Sequence, residues 1–124
     1  SYYSAEQTVL VHHLRDHLLT NREGYISLAS LAAEHEISVS HLQKLFKQVY
    51  GVPIYRYIKE YRLEQAAVEL VRSGKSVTEI AQQAGYDNAS KFSESFKKRY
   101  GKTPSRYRAD KKNAVKRSIK NKTE

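Results

Sequence analysis

The segment Phe46-Lys47-Gln48-Val49-Tyr50-Gly51 returns fifty residues later as Phe96-Lys97-Lys98-Arg99-Tyr100-Gly101. This duplication restricts the fold more than any other property of the chain. The neighbourhood repeats with it. Ser40 and Leu42 fall opposite Ser90 and Phe92, and Leu31 and Ala32 fall opposite Ile80 and Ala81 once one extra residue is allowed in the intervening turn. Each Tyr-Gly is followed by a proline and a tyrosine: Pro53 and Tyr57, then Pro104 and Tyr107. Solenoids need three or more units to bury a continuous core. Two copies of a pair of short helical patterns around a tight turn therefore point to a duplicated helix-turn-helix.

The apolar spacing gives seven helices and no strand, hence an all-α, homeodomain-like chain with two helix-turn-helix subdomains joined by a long linker helix. Ser4 with Gln7 has the form of a capping box, and Val9, Leu10, Leu14 and Leu18 mark an apolar stripe before a loop at Asn21 to Tyr25. The first helix-turn-helix covers about 27–50. Ser27 caps a helix with Leu28, Leu31 and Ala32 inward; Ser38 caps the next, with Leu42, Leu45, Phe46 and Val49 inward and Gly51 as its stop. Pro53 opens the linker helix, about 53–72, with Ile54, Tyr57, Leu63, Leu70 and Val71 among its apolar positions.

Ser76 with Glu79 starts the second helix-turn-helix, about 76–100, and Asp87 or Asn88 caps its second helix. There Phe92, Ser95 and Phe96 face inward, and Gly101 is the stop. Thr103 and Pro104 begin a last short helix containing Tyr107. Residues 1–109 are thus expected to form the domain, and the basic tail 110–124 is expected to be disordered.

Charge is uneven. Residues 1–36 carry two arginines against five acids, a balance of −3, whereas residues 37–124 carry twenty basic against eight acidic groups, a balance of +12. Such a basic majority is the footprint of a nucleic-acid binder, because Lys and Arg displace counterions condensed on phosphates. Without cysteine there is no disulfide, thiolate metal site or cysteine nucleophile, and a reducing cytoplasmic setting fits. No apolar run approaches the roughly 20 residues that span a bilayer, so no membrane partner is expected. The acids are scattered, with no constellation for catalysis, and neither an enzyme nor a cofactor is expected. His13 and His17 stand four apart without an evident third ligand, and no metal site is expected.

In a helix-turn-helix the second helix enters the major groove and presents its early, outward side chains to base edges. Those positions in the first copy are Ser40, Gln43 and Lys44, since Gln pairs bidentately with adenine and Lys donates to guanine. Lys47, a turn later, and His41 suit phosphates. In the second copy Ser90, Lys91, Ser93 and Glu94 occupy the base-reading register, with Lys97 and Lys98 toward the backbone. Glu94 can accept from cytosine N4 but repels phosphate. A linker helix of roughly 30 Å would hold the two reading helices about one turn of B-DNA apart, so that one chain binds two successive major-groove segments. The competing reading is a basic, nonspecific or architectural module. The aromatic residues fall on inward faces, where core packing outranks base stacking.

The run Ile80-Ala81, Gly85-Tyr86, Ser90, Phe92, Phe96-Lys97, Tyr100-Gly101, Thr103-Pro104, Tyr107-Arg108 resembles the signature of AraC/XylS-type transcription regulators. Leu31-Ala32, Ser40, Leu42, Leu45-Phe46-Lys47, Gly51, Tyr57, Arg62 and Ala66 match it in the first half. The resemblance covers about residues 5–109. It implies a bacterial, cytoplasmic, nucleoid-associated, seven-helix DNA-binding domain acting on double-stranded promoter DNA, usually as an activator in contact with RNA polymerase. It also implies that an N-terminal effector or dimerisation domain accompanies it elsewhere in the protein, unless this is a short stand-alone member. Glu94 departs from the family, which often has arginine there.

Overall fold

The computed structural model describes residues 5–20 and 28–123. The Ser4 cap, the loop at Asn21 to Tyr25, the Ser27 cap and the Leu18 side chain lie outside the described residues. Among the described residues seven α-helices follow in order: α1 Ala5–Thr20, α2 Leu28–Glu34, α3 Val39–Tyr50, α4 Ile54–Arg72, α5 Val77–Gln83, α6 Ala89–Tyr100 and α7 Pro104–Thr123. The chain divides into two compact units, Ser1–Tyr61 and Arg62–Glu124. The division falls inside α4, which sends Ile54, Tyr57 and Ile58 into the first core and Leu63, Ala66, Ala67 and Leu70 into the second.

The first core is built on Leu42, Leu45 and Phe46 of α3, closed by Val11 and Leu14 of α1, Leu28 and Ala32 of α2, and Ile54 of α4. The expected face of α1 needs correction: Val9 is 52% exposed and Val11 is fully buried. Val9, Leu10 and Val11 are consecutive, so local spacing permits several faces, and packing on α3 selects the one led by Val11 and Leu14. Val71 is likewise exposed rather than inward. In the second unit, Ile80 and Ala81 of α5, Ala84 at its C-terminal cap, and Phe92 and Phe96 of α6 pack on Leu63, Ala66, Ala67 and Leu70. Burying each large side chain of this kind contributes roughly 1.5–3 kcal/mol against backbone ordering.

Both turns are built alike. Ile37 N–H donates to the Ala32 carbonyl at 3.0 Å, and Tyr86 N–H donates to the Ala81 carbonyl at the same distance. The residue before each is left-handed: Gly85 with φ +88° and Glu36 with φ +56°. The extra residue of the second copy comes after this turn, where Asp87 stands between Tyr86 and the Asn88 cap while Ser38 follows Ile37 directly. Gly85 also has a close neighbour, since a Cβ there would meet Arg62 Nη1 at 2.7 Å.

The expectation of a disordered tail needs correction too. α7 continues through Thr123. After Pro104 it contains no Gly or Pro and is rich in Lys and Arg, residues that lose little freedom in a helix. The sequence reading ended the helix where the apolar pattern ended, but propensity continues past it.

Candidate nucleic-acid interface

α3 and α6 are the second helices of their units, and they begin in the same way. Ser38 Oγ accepts from the His41 N–H at 3.0 Å, and Asn88 Oδ1 accepts from the Lys91 N–H at 2.8 Å. Each cap satisfies one of the donors that a helix N-terminus leaves open and fixes the first turn. Of the two residues that could cap α6, Asn88 does so. At the other end Gly51 and Gly101, at φ +80° and +77°, return their N–H groups to the Lys47 and Lys97 carbonyls. Two helices of twelve residues are thereby bounded identically.

Identical bounds place equivalent residues in equivalent settings. Ser40 and Ser90, His41 and Lys91, Lys44 and Glu94, and Lys47 and Lys97 are all exposed. Gln43 and Ser93 are both half-buried. Leu42 and Phe92, then Phe46 and Phe96, are buried on the opposite side. At 3.6 residues per turn, Ser40, Lys44 and Lys47 share one stripe facing away from the core, with Gln43 on its flank. Ser90, Glu94 and Lys97 form the matching stripe on α6, flanked by Ser93, while Lys98 is exposed beside Lys97.

Each unit therefore brings three of its sequence-selected residues, Ser40, Lys44 and Lys47 or Ser90, Glu94 and Lys97, onto one helical face, with His41 and Lys91 about a quarter turn to the side. The sequence reading treated Gln43 and Ser93 as fully outward. Both are half-buried and so stand at the edge of the stripe.

The side chains behind these faces are held rigidly. Phe46 packs against Tyr50 at 4.7 Å between ring centroids, and Tyr50 against Tyr57 at 5.3 Å. Phe96 packs against Tyr100 at 4.6 Å, and Tyr100 against Tyr107 at 5.5 Å. A guanidinium lies over each central tyrosine, Arg15 over Tyr50 and Arg99 over Tyr100, both at 5.6 Å. Burial pushes both phenols above the usual tyrosine range, and the arginine beside each opposes the rise. His12 Nδ1 shares a hydrogen bond with the Tyr50 hydroxyl, while Arg99 pairs with Glu64 at 2.9 Å.

Arg108, which entered only through the family signature, proves to be a positioning residue. Its Nε donates to the Leu70 carbonyl at 2.9 Å and its Nη2 to the Lys75 carbonyl at 2.6 Å. It thus satisfies a carbonyl at the C-terminus of α4 and ties α7 to it. Nothing in the spacing of Arg108 announced this, because its partners are backbone groups more than thirty residues away.

His13, His17 and His35 line an open cleft of about 280 Å³ with Leu10 and Leu14. Among the described residues, no group of three or more His, Cys, Asp or Glu side chains is placed to hold a metal. Among the same residues, no helix is long and apolar enough to cross a membrane.

Comparison with known proteins places these features in context. The helix-turn-helix domain family matches residues 31–110. The right origin-binding protein of Escherichia coli (strain K12) is 38% identical over 99 residues, 77% of this chain and 34% of that protein. The HTH-type transcriptional activator RhaR of Mannheimia succiniciproducens is 35% identical over 82 residues, 66% of this chain and 30% of that protein. The chain spans about a third of the length of these two relatives. A transcriptional regulator from Chromobacterium violaceum, described as an AraC-type DNA-binding domain-containing protein, superposes with a TM-score of 0.73 at 26% identity, covering 86% of this chain and 95% of that one.

Proposed function

This chain belongs to the AraC/XylS-type transcription regulators and carries their DNA-binding domain, and on that premise we propose that α3 and α6 read bases in two successive major-groove segments of promoter DNA. The observation that carries this reading is the repeated register. Two helices with the same capping bond, length and C-terminal glycine present the same sequence positions to solvent while burying an equivalent phenylalanine, Phe46 or Phe96. A solvent-facing register repeated in both internal copies, with Ser40 matched by Ser90 and Lys47 by Lys97, on a chain of net charge +9, fits duplex DNA.

Within this reading, Ser40, Gln43 and Lys44 contact bases in the first half-site, and Lys47 and His41 hold phosphates. Ser90, Lys91, Ser93 and Glu94 face bases in the second, with Lys97 and Lys98 on the backbone. The two halves differ where Glu94 replaces the Lys44 equivalent, so the first helix carries more of the base selection. The family is one of DNA-binding regulators rather than enzymes. The remaining two thirds of such a regulator supplies effector control or dimerisation, and RNA polymerase is the partner through which the bound protein activates transcription in the bacterial cytoplasm.

Selection of sites from a random duplex library at two salt concentrations tests the proposal. The expected product is a two-part motif with the stronger preference in one half. A protein that enriches no motif and loses all binding steeply in salt would instead be a nonspecific basic module.

A further inference from the structure

Beyond Asp110 the second unit carries a feature that the helix-turn-helix pair does not use. α7 runs on as one helix to Thr123, and residues 111–121 are all exposed. Between 111 and 122 stand Lys111, Lys112, Lys116, Arg117, Lys120 and Lys122, with no Asp or Glu among them. Lys112, Lys116 and Lys120 recur every fourth residue and so line one row along the helix. Like charges at that spacing oppose helix formation, and a polyanion alongside would relieve the repulsion.

The root of this row is fixed to the unit. Pro104 is buried, and the Tyr107 ring meets Phe96 at 5.2 Å. Arg108 is tied to the Leu70 and Lys75 carbonyls. Asp110 accepts from Lys102 Nζ at 2.8 Å and pairs with Arg106 at 3.3 Å. These contacts hold the first two turns of α7 against its unit, so the extension leaves in a set direction. The same unit carries further basic residues, since the last turn of α6 holds Lys97, Lys98 and Arg99.

We infer that residues 111–122 form a phosphate-tracking arm, a helix that lies along the DNA backbone beside the second helix-turn-helix and adds affinity without base preference. The inference rests on the DNA-binding reading above. Charge complementarity selects the occupant, since twelve helical residues cover about 18 Å, or roughly five base pairs of backbone. A protein partner fits less well. Val115 and Ile119, 51% and 58% exposed, are only two apolar side chains, far short of the roughly 800 Å² per partner that a stable protein interface buries.

The test compares the purified chain with the variant K111Q/K112Q/K116Q/R117Q/K120Q, on a selected duplex and on a scrambled one, across a salt series. Glutamine keeps helix propensity, and circular dichroism checks that the helix persists. The expected variant loses about tenfold or more on both duplexes equally, with a log K against log salt slope shallower by about two or more, as release from two to three phosphates requires. Trimming the duplex beside the second half-site should weaken the parent chain and leave the variant unchanged, and V115Q/I119Q should bind as the parent does. An unaltered slope and affinity in the lysine variant would overturn the arm, and capture of the parent by phosphatidylglycerol vesicles in that case would move the helix to a membrane surface. Failure of the parent to prefer the selected duplex counts against base reading alone, because the slope comparison still decides the arm.

Discussion

Phe96 meets Tyr107 edge to face, with ring centroids 5.2 Å apart and planes at 81°, and Phe46 meets Tyr57 in the same way at 5.3 Å and 79°. One aromatic arrangement is thus built twice, each time joining a second helix to the helix that follows it. The Tyr-Gly pair and the proline that follows it, Pro53 in one copy and Pro104 in the other, set it up. The left-handed glycine turns the chain, the proline starts the next helix, and the tyrosine one turn on returns to the phenylalanine.

Truncating either anchor should release one unit. Phe46 and Phe96 are fully buried, and Phe→Ala in such a setting costs about 3–5 kcal/mol. A unit of some sixty residues has little more than that in reserve. Phe46→Ala should therefore erase the dispersed amide resonances of residues in the first unit, while those of Arg62–Glu124 persist. Phe46→Leu, which keeps most of the volume, should cost about 1–2 kcal/mol in urea unfolding. Equal loss of signals from both units in Phe46→Ala would refute separate cores.

The matched turns carry a pair of opposite predictions. Glu36 holds φ +56° with a side chain, where its counterpart Gly85 has none. Left-handed backbone costs a non-glycine residue roughly 1–2 kcal/mol, part of which glycine returns as chain entropy. Glu36→Gly should accordingly stabilise the first unit by about 0.5 kcal/mol. Gly85→Ala should destabilise the second by about 1–2 kcal/mol, because it adds strain and drives the Arg62 guanidinium from its place. Thermal melts that move both variants in the same direction would contradict this account.

Much of this was legible in the sequence, and what escaped has physical causes. The repeat located α3 and α6, their caps and their anchors, because helix ends and buried aromatics are written in adjacent residues. Val11 was missed because three apolar residues in a row leave the choice of face to tertiary packing. Glu36 gave no local sign of a left-handed turn; only alignment with Gly85 exposes it. The helix past Ala109 was lost because it buries nothing. Arg108 could not be given its place from spacing, since backbone carbonyls carry no sequence label.

Arg108 offers a test of that last point. Its two bonds reach different carbonyls, a geometry that a planar fork meets and a lysine ammonium does not. Arg108→Lys retains the charge yet should cost about 1–2 kcal/mol, close to Arg108→Ala. Chemical denaturation of the three proteins would show it. Full rescue by lysine would mean that charge alone matters there.

Alkaline titration should single out two tyrosines. Tyr50 and Tyr100 are raised above the ordinary value near 10, first by burial. A raised phenol stabilises the fold fully below the unfolded-state value, and that contribution disappears as pH climbs through the folded one. Ultraviolet titration should find both lagging behind freely exposed tyrosine, with urea stability falling above about pH 10. Removing the cation over one ring in Arg15→Gln should raise Tyr50 further and leave Tyr100 unmoved. Normal titration of both phenols would exclude the effect.

Base reading and phosphate anchoring should separate by mutation. Gln43 and Lys44 sit beside and within the outward stripe of α3, where bidentate contacts are each worth about 1–3 kcal/mol of discrimination. Gln43→Ala and Lys44→Ala should relax the preference for a selected over a scrambled duplex by tenfold or more, with modest change on scrambled DNA. Lys97→Ala should weaken both duplexes alike and lower the salt slope by about one. Glu94→Gln removes a carboxylate from the face of α6 that carries Lys97, so it should tighten both duplexes several-fold without altering selection in the first half-site. A Glu94→Gln protein that instead loses preference at a cytosine in the second half-site would show that the carboxylate accepts from the base. α6 would then be a reader equal to α3.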